Sequence, residues 1–69
     1  MDEICRIAGK NVKAARQALR FSQEELADKA EIDRTYVSGV ERGLRNPSIK
    51  VLARLAKALK TTPAALLSK

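Results

Sequence analysis

The stretch Ser22–Arg42, SQEELADKAEIDRTYVSGVER, reads as two short helices separated by a tight turn. Ser22 followed by Glu25 is a capping box: the serine hydroxyl accepts from an orphan backbone N–H, and the carboxylate reaches back. Phe21, just before the cap, is placed to pack on Leu26 as a hydrophobic staple. The first helix of the pair then buries Leu26, Ala27 and Ala30. Glu31 and Ile32 make the connection, and Asp33 caps a second helix running from Arg34 to about Arg42.

At about 100° per residue, Val37 and Val40 share one side of that second helix, with Tyr36 and Glu41 on its flanks. Thr35, Ser38, Gly39 and Arg42 fall opposite, and Arg34 lies beside them. This outer face is small, polar and cationic. It suits the major groove of DNA, which admits a helix and offers guanine acceptors and thymine methyls. A plain solvated face is equally compatible with these residues taken alone.

The distribution of charge favours the groove. The chain has 69 residues and a formal charge of +6. Residues 1–33 hold six basic and seven acidic groups, whereas residues 34–60 hold seven basic groups against Glu41 alone. A one-sided positive surface favours a polyanion. Enzyme chemistry lacks its parts, so neither catalytic residues nor cofactors are expected. Without histidine there is no Ser-His-Asp triad and no His-ligated zinc site. Cys5 is the single cysteine, which excludes an internal disulfide and a cysteine metal cluster. No glycine-rich phosphate loop occurs, and no apolar run approaches the roughly 20 residues of a membrane span. The expectation is one all-α domain over residues 1–69, cytoplasmic, with no membrane and no small-molecule ligand.

Outward from the central stretch, Ala8, Val12, Ala15 and Leu19 mark an amphipathic helix over residues 4–20. Arg16 lies next to that stripe and is the candidate partner for Glu41, locking the first helix to the end of the groove helix. Gln23 opens its helix beside free backbone N–H groups, where a phosphate binds favourably. Gly43 is the expected αL terminator after Arg42. Arg45 and Asn46 stand in the polar loop that follows. Ser48 caps a fourth helix with Leu52, Leu55, Ala56 and Leu59 as its apolar stripe. Pro63 starts a short fifth helix, in which one of Leu66 and Leu67 covers the core and the other is left exposed.

With the helices placed, SQEELA…IDRTYVSGVERGLRNPSI…LAKAL resembles the Cro and phage-repressor class of helix-turn-helix proteins, the xenobiotic-response-element type, along essentially the whole chain. IDRTYVSGVER with RNPSIK looks most like the small controller proteins of restriction–modification systems. The resemblance implies a compact five-helix, lambda-repressor-like domain that acts as a homodimeric transcription regulator on near-palindromic double-stranded DNA, with RNA polymerase as a further partner. It assigns Arg34, Thr35 and Ser38 to base edges and Gln23 to a phosphate. Arg42, Arg45 and Asn46 would lie along the DNA backbone, with Tyr36 spanning the groove edge. It also implies the Arg16–Glu41 pair, and points to Leu67 and Ala64 for the dimer contact. Glu31 and Lys60 depart from glycines common at those turns. A generic phage-type repressor, or an antitoxin-like interaction protein with secondary DNA binding, is the alternative.

Overall fold

The computed structural model describes residues 2–69. All regular structure among them is helical: α1 (Glu3–Ala18), α2 (Gln23–Ala30), α3 (Arg34–Glu41), α4 (Ile49–Ala58) and α5 (Pro63–Leu66). Four of the five starts are fixed by a side chain. Ser22 Oγ accepts from the Glu25 N–H while Glu25 Oε1 accepts from the Ser22 N–H, and Asp33, Ser48 and Thr62 accept from the N–H groups of Thr35, Val51 and Ala65. Each such cap satisfies an orphan donor and is worth about 0.5–2 kcal/mol against alanine.

Between the helices the chain turns sharply. Gly43 takes a positive φ of 75° and lets the Leu44 N–H close on the Gly39 carbonyl, ending α3. Arg20, Glu31 and Lys60 adopt the same left-handed geometry at φ near 60° without being glycine. Arg20 therefore does not continue the first helix, as the periodicity of residues 4–20 predicts. α1 stops at Ala18, and the Phe21 N–H bonds back to the Arg16 carbonyl to close the turn.

The core is aliphatic. Val12 of α1, Leu26, Ala27 and Ala30 of α2, and Val37 and Val40 of α3 pack with Leu52, Leu55, Ala56 and Leu59, and Leu66 of α5 closes the cluster. Ala15 and Leu19 are only half-buried against it. The small residues let helices approach closely, most of all where α1 crosses the end of α3. There a Cβ on Gly9 would lie 2.2 Å from the Val40 carbonyl oxygen, inside any allowed contact. α1 thus braces the C-terminal end of α3 backbone to backbone. No helix among the described residues is long and apolar enough to cross a membrane.

Candidate nucleic-acid interface

α3 is held from behind by Val37 and Val40, both fully buried. Its other side presents Arg34, Thr35 and Arg42 as exposed residues and Ser38 as a half-buried one. Asp33 fixes the start of that face. One of its oxygens, Oδ1, accepts from the Thr35 N–H at 2.9 Å and from the Thr35 hydroxyl at 2.8 Å. These two bonds, with the Arg34 charge adding to them, hold the Asp33 carboxyl below the ordinary carboxylate value. The Thr35 hydroxyl has its proton engaged, which leaves its oxygen lone pairs and its methyl for an incoming partner.

Glu41 is the one acid among residues 34–69, and it is sequestered. Its carboxylate accepts from Arg16 Nε at 2.7 Å and Nη2 at 3.0 Å, the bidentate fork that makes the strongest ion pairs. The side chains are 12% and 2% exposed. Arg16 Nη1 also donates to the Phe21 carbonyl at 2.9 Å. The basic half of the chain consequently shows no free carboxylate to an approaching polyanion.

Gln23 joins the same cluster. Its Nε2 donates to Glu41 Oε1 at 3.1 Å, so the amide is steered by the ion pair rather than standing free at the tip of α2. An amide nitrogen carries two donors, and the second remains.

Arg45 does not simply project from its loop. Its guanidinium carbon lies 5.2 Å from the centroid of the Tyr36 ring, within cation–π range. Its Cγ occupies the space above Gly39, where a Cβ would approach to 2.6 Å. Gly39 is buried beneath it, so the space a glycine leaves on the outer face of α3 is taken by this arginine. Asn46, the next residue, is exposed and also lines an apolar depression with Pro47 and Ile49. The structure therefore gathers Arg34, Thr35, Tyr36, Ser38, Arg42 and Arg45 on or beside α3, with Gln23 bound to its far end through Glu41. Leu67 and Ala64 lie apart from them on the α5 segment, both exposed.

The sequence of residues 12–66 matches the profile of one family, Helix-turn-helix. The chain belongs to the helix-turn-helix family. It is 40% identical over 67 residues to the control protein C.SmaI of Serratia marcescens, covering 97% of this chain and 80% of that one. The crystal structure of the restriction-modification controller protein C.AhdI from Aeromonas hydrophila superposes with a TM-score of 0.87 at 42% identity, over 90% of this chain and 94% of that one. The controller C.Esp1396I, solved as a tetramer on its natural 35 base-pair operator, is similar at a TM-score of 0.87 and 33% identity, over 96% and 87% of the two chains. The chain spans much less, 35% to 39%, of three longer regulators and repressors that it also matches.

The sequence pattern located α3 and its buried side but missed how its neighbours are arranged. Nothing local says that Gly39 lies under Arg45, or that the Gln23 amide turns to Glu41. Spacing gave a weak signal for the second: Gln23 at the first turn of α2 and Glu41 at the last turn of α3 bracket the pair of helices.

Proposed function

We propose that this helix-turn-helix chain is a sequence-specific DNA-binding transcriptional regulator. In this reading residues 1–69 act as one unit, paired as a homodimer on a near-palindromic operator, and control a restriction–modification system. The observation that carries it is the outer side of α3: exposed Arg34, Thr35 and Arg42, flanked by Arg45, with the only nearby acid of that half buried in an ion pair. The likeness to the controller proteins supports the setting.

In the mechanism, α3 enters the major groove. Arg34 donates two hydrogen bonds to a guanine edge, Thr35 offers its methyl to a thymine and its lone pairs to a base amino group, and Ser38 completes the reading. Arg42, Arg45 and Asn46 lie along the phosphates, Tyr36 spans the groove edge beneath Arg45, and the free donor of Gln23 meets a phosphate at the tip of α2. In a dimer, two such helices stand about 34–36 Å apart, one turn of duplex. The cytoplasm, where operators reside, is the expected compartment, and RNA polymerase the expected further partner.

The test begins by selecting bound sequences from random duplexes. On the selected site Arg34→Ala should lose about 1–3 kcal/mol, roughly 5- to 150-fold, with little change on random DNA. Arg42→Ala should weaken both and lower the salt slope by about one. Equal losses on operator and random DNA for Arg34→Ala would refute the base-reading role.

A further inference from the structure

The apolar side chains left on the surface are not scattered. Ile4 (46% exposed), Ile49 (87%) and Leu67 (39%) stand around one open depression of about 190 Å³, with Cys5, Ala8 and Leu52 also in its lining. α1, α4 and the end of α5 each contribute. Ile49 gains nothing for its own helix by being apolar: it follows the Ser48 cap at the first position of α4 and is almost wholly in water. Leu67 is fixed where it is. Asn11 Nδ2 donates to the Leu66 carbonyl at 2.9 Å and to the Ser68 carbonyl at 2.6 Å, the residues on either side of it. Both protons of the amide are used, so the last turn is tied to α1 and Leu67 is kept at the depression.

We infer that this depression receives Ile49 of a second copy of the chain, reciprocally across a two-fold axis; the inference rests on the homodimer reading above and names its surface. A two-fold contact needs a patch complementary to itself, and here a projecting side chain and a hollow of fitting size lie side by side. A cavity of about 150 Å³ already admits a benzene ring, so the hollow has room for an aliphatic side chain. The rim is complementary in charge as well. Asp2 and Glu3 precede Ile4 on the α1 side, while Lys50 follows Ile49 on the α4 side. Seating Ile49 in the opposite copy brings Lys50 toward the partner's Asp2, an arrangement that favours one register and disfavours the reverse orientation; Glu3 already faces Lys69 of its own chain at 3.4 Å. The contact therefore spreads over three helices rather than resting on α5 alone, and Ala64 is outside it.

Sedimentation equilibrium on the full chain, without DNA, decides the matter. Ile49→Asp should raise the dimer dissociation constant at least about 30-fold, the hot-spot threshold of about 2 kcal/mol at 1.4 kcal/mol per tenfold. Leu44→Asp, at a residue that is 53% exposed and outside the depression, should leave the constant within about threefold. Ile49→Ala, a truncation in water that cannot harm the monomer core, should weaken the dimer in the same direction at an unchanged far-UV circular dichroism spectrum. A wild-type dimer that persists in both Ile49 variants overturns the surface and leaves the homodimer reading standing. A wild-type chain that stays monomeric at every concentration overturns both. An Ile49-dependent fluorescence of an apolar dye on such a monomer would assign the hollow to a small molecule instead.

Discussion

Replacing Glu41 by alanine removes the acceptor for three donors at once: Arg16 Nε at 2.7 Å, Arg16 Nη2 at 3.0 Å and Gln23 Nε2 at 3.1 Å. Gln23 is half-buried and turns to water cheaply. Arg16 does not, because its side chain is 12% exposed and keeps only the Phe21 carbonyl. Breaking a buried pair from one side costs about 3–5 kcal/mol, against less than about 1 for an exposed pair. A chain of this length has about 4–10 kcal/mol of total stability, so the variant is expected at the edge of unfolding, with a melting temperature lower by about 12 °C or more. Urea denaturation followed by far-UV circular dichroism measures the loss. The companion variant Arg16→Met with Glu41→Leu removes both charges and fills the same space. It should be neutral or more stable than the parent, since desolvation of both ions is avoided. A loss under about 1 kcal/mol for Glu41→Ala would show that the pair is screened like a surface contact, and the argument that it clamps α1, α2 and α3 together would fall.

Gly39→Ala separates stability from binding. The new methyl meets Arg45 Cγ at 2.6 Å, so the whole arginine side chain must swing away. The helix gain of about 1 kcal/mol is offset by the lost Tyr36 contact, and stability should change by less than about 1 kcal/mol while operator affinity drops; a mobility-shift titration and a thermal melt on the same sample check both. Glu31→Gly relieves a left-handed residue at φ 58° and should raise stability by up to about 1 kcal/mol by urea titration. Asp33→Asn keeps a cap but loses a carboxylate whose folded pKa is lowered. The charge-linked part of the cap is fully present above the ordinary value of 3.8 and disappears as pH falls through the lowered one, so the variant's stability should change less than the parent's across that acid range in pH-stepped melts.

What sequence spacing reveals here is what depends on neighbours within about one turn. The Ser22–Glu25 box, the Asp33 cap, the Ser48 cap and the Gly43 stop all involve groups two to five residues apart, and all four are formed by local hydrogen bonds. The buried side of α3 is legible for the same reason, since periodicity alone sets Val37 and Val40 on one side. Gly9 is the opposite case. Its role is to admit the Val40 carbonyl to a distance no Cβ allows, and that depends on how two helices far apart in sequence cross. Arg20 shows a third limit: its residue type suits the last turn of a helix, yet the Arg16 side chain bonded to the Phe21 carbonyl accompanies a chain reversal that leaves it left-handed.

The groups assigned to DNA divide by how much freedom they retain. Gln23 is oriented by Glu41, Thr35 by Asp33, and Arg45 by the Tyr36 ring and the hollow over Gly39. Immobilising a rotamer-rich side chain on association costs about 0.5–1.5 kcal/mol, and for these three much of that cost is met when the chain folds. Arg34 and Arg42 are exposed and form no ion pair among the described residues. In the proposed reading the groups that would set register are already in place, and the long cationic side chains that remain loose would be the ones to search base edges and phosphates. In that reading Arg34 orders on a matching guanine, where two hydrogen bonds repay its lost rotamer freedom, and stays loose on a wrong base, which offers no such repayment.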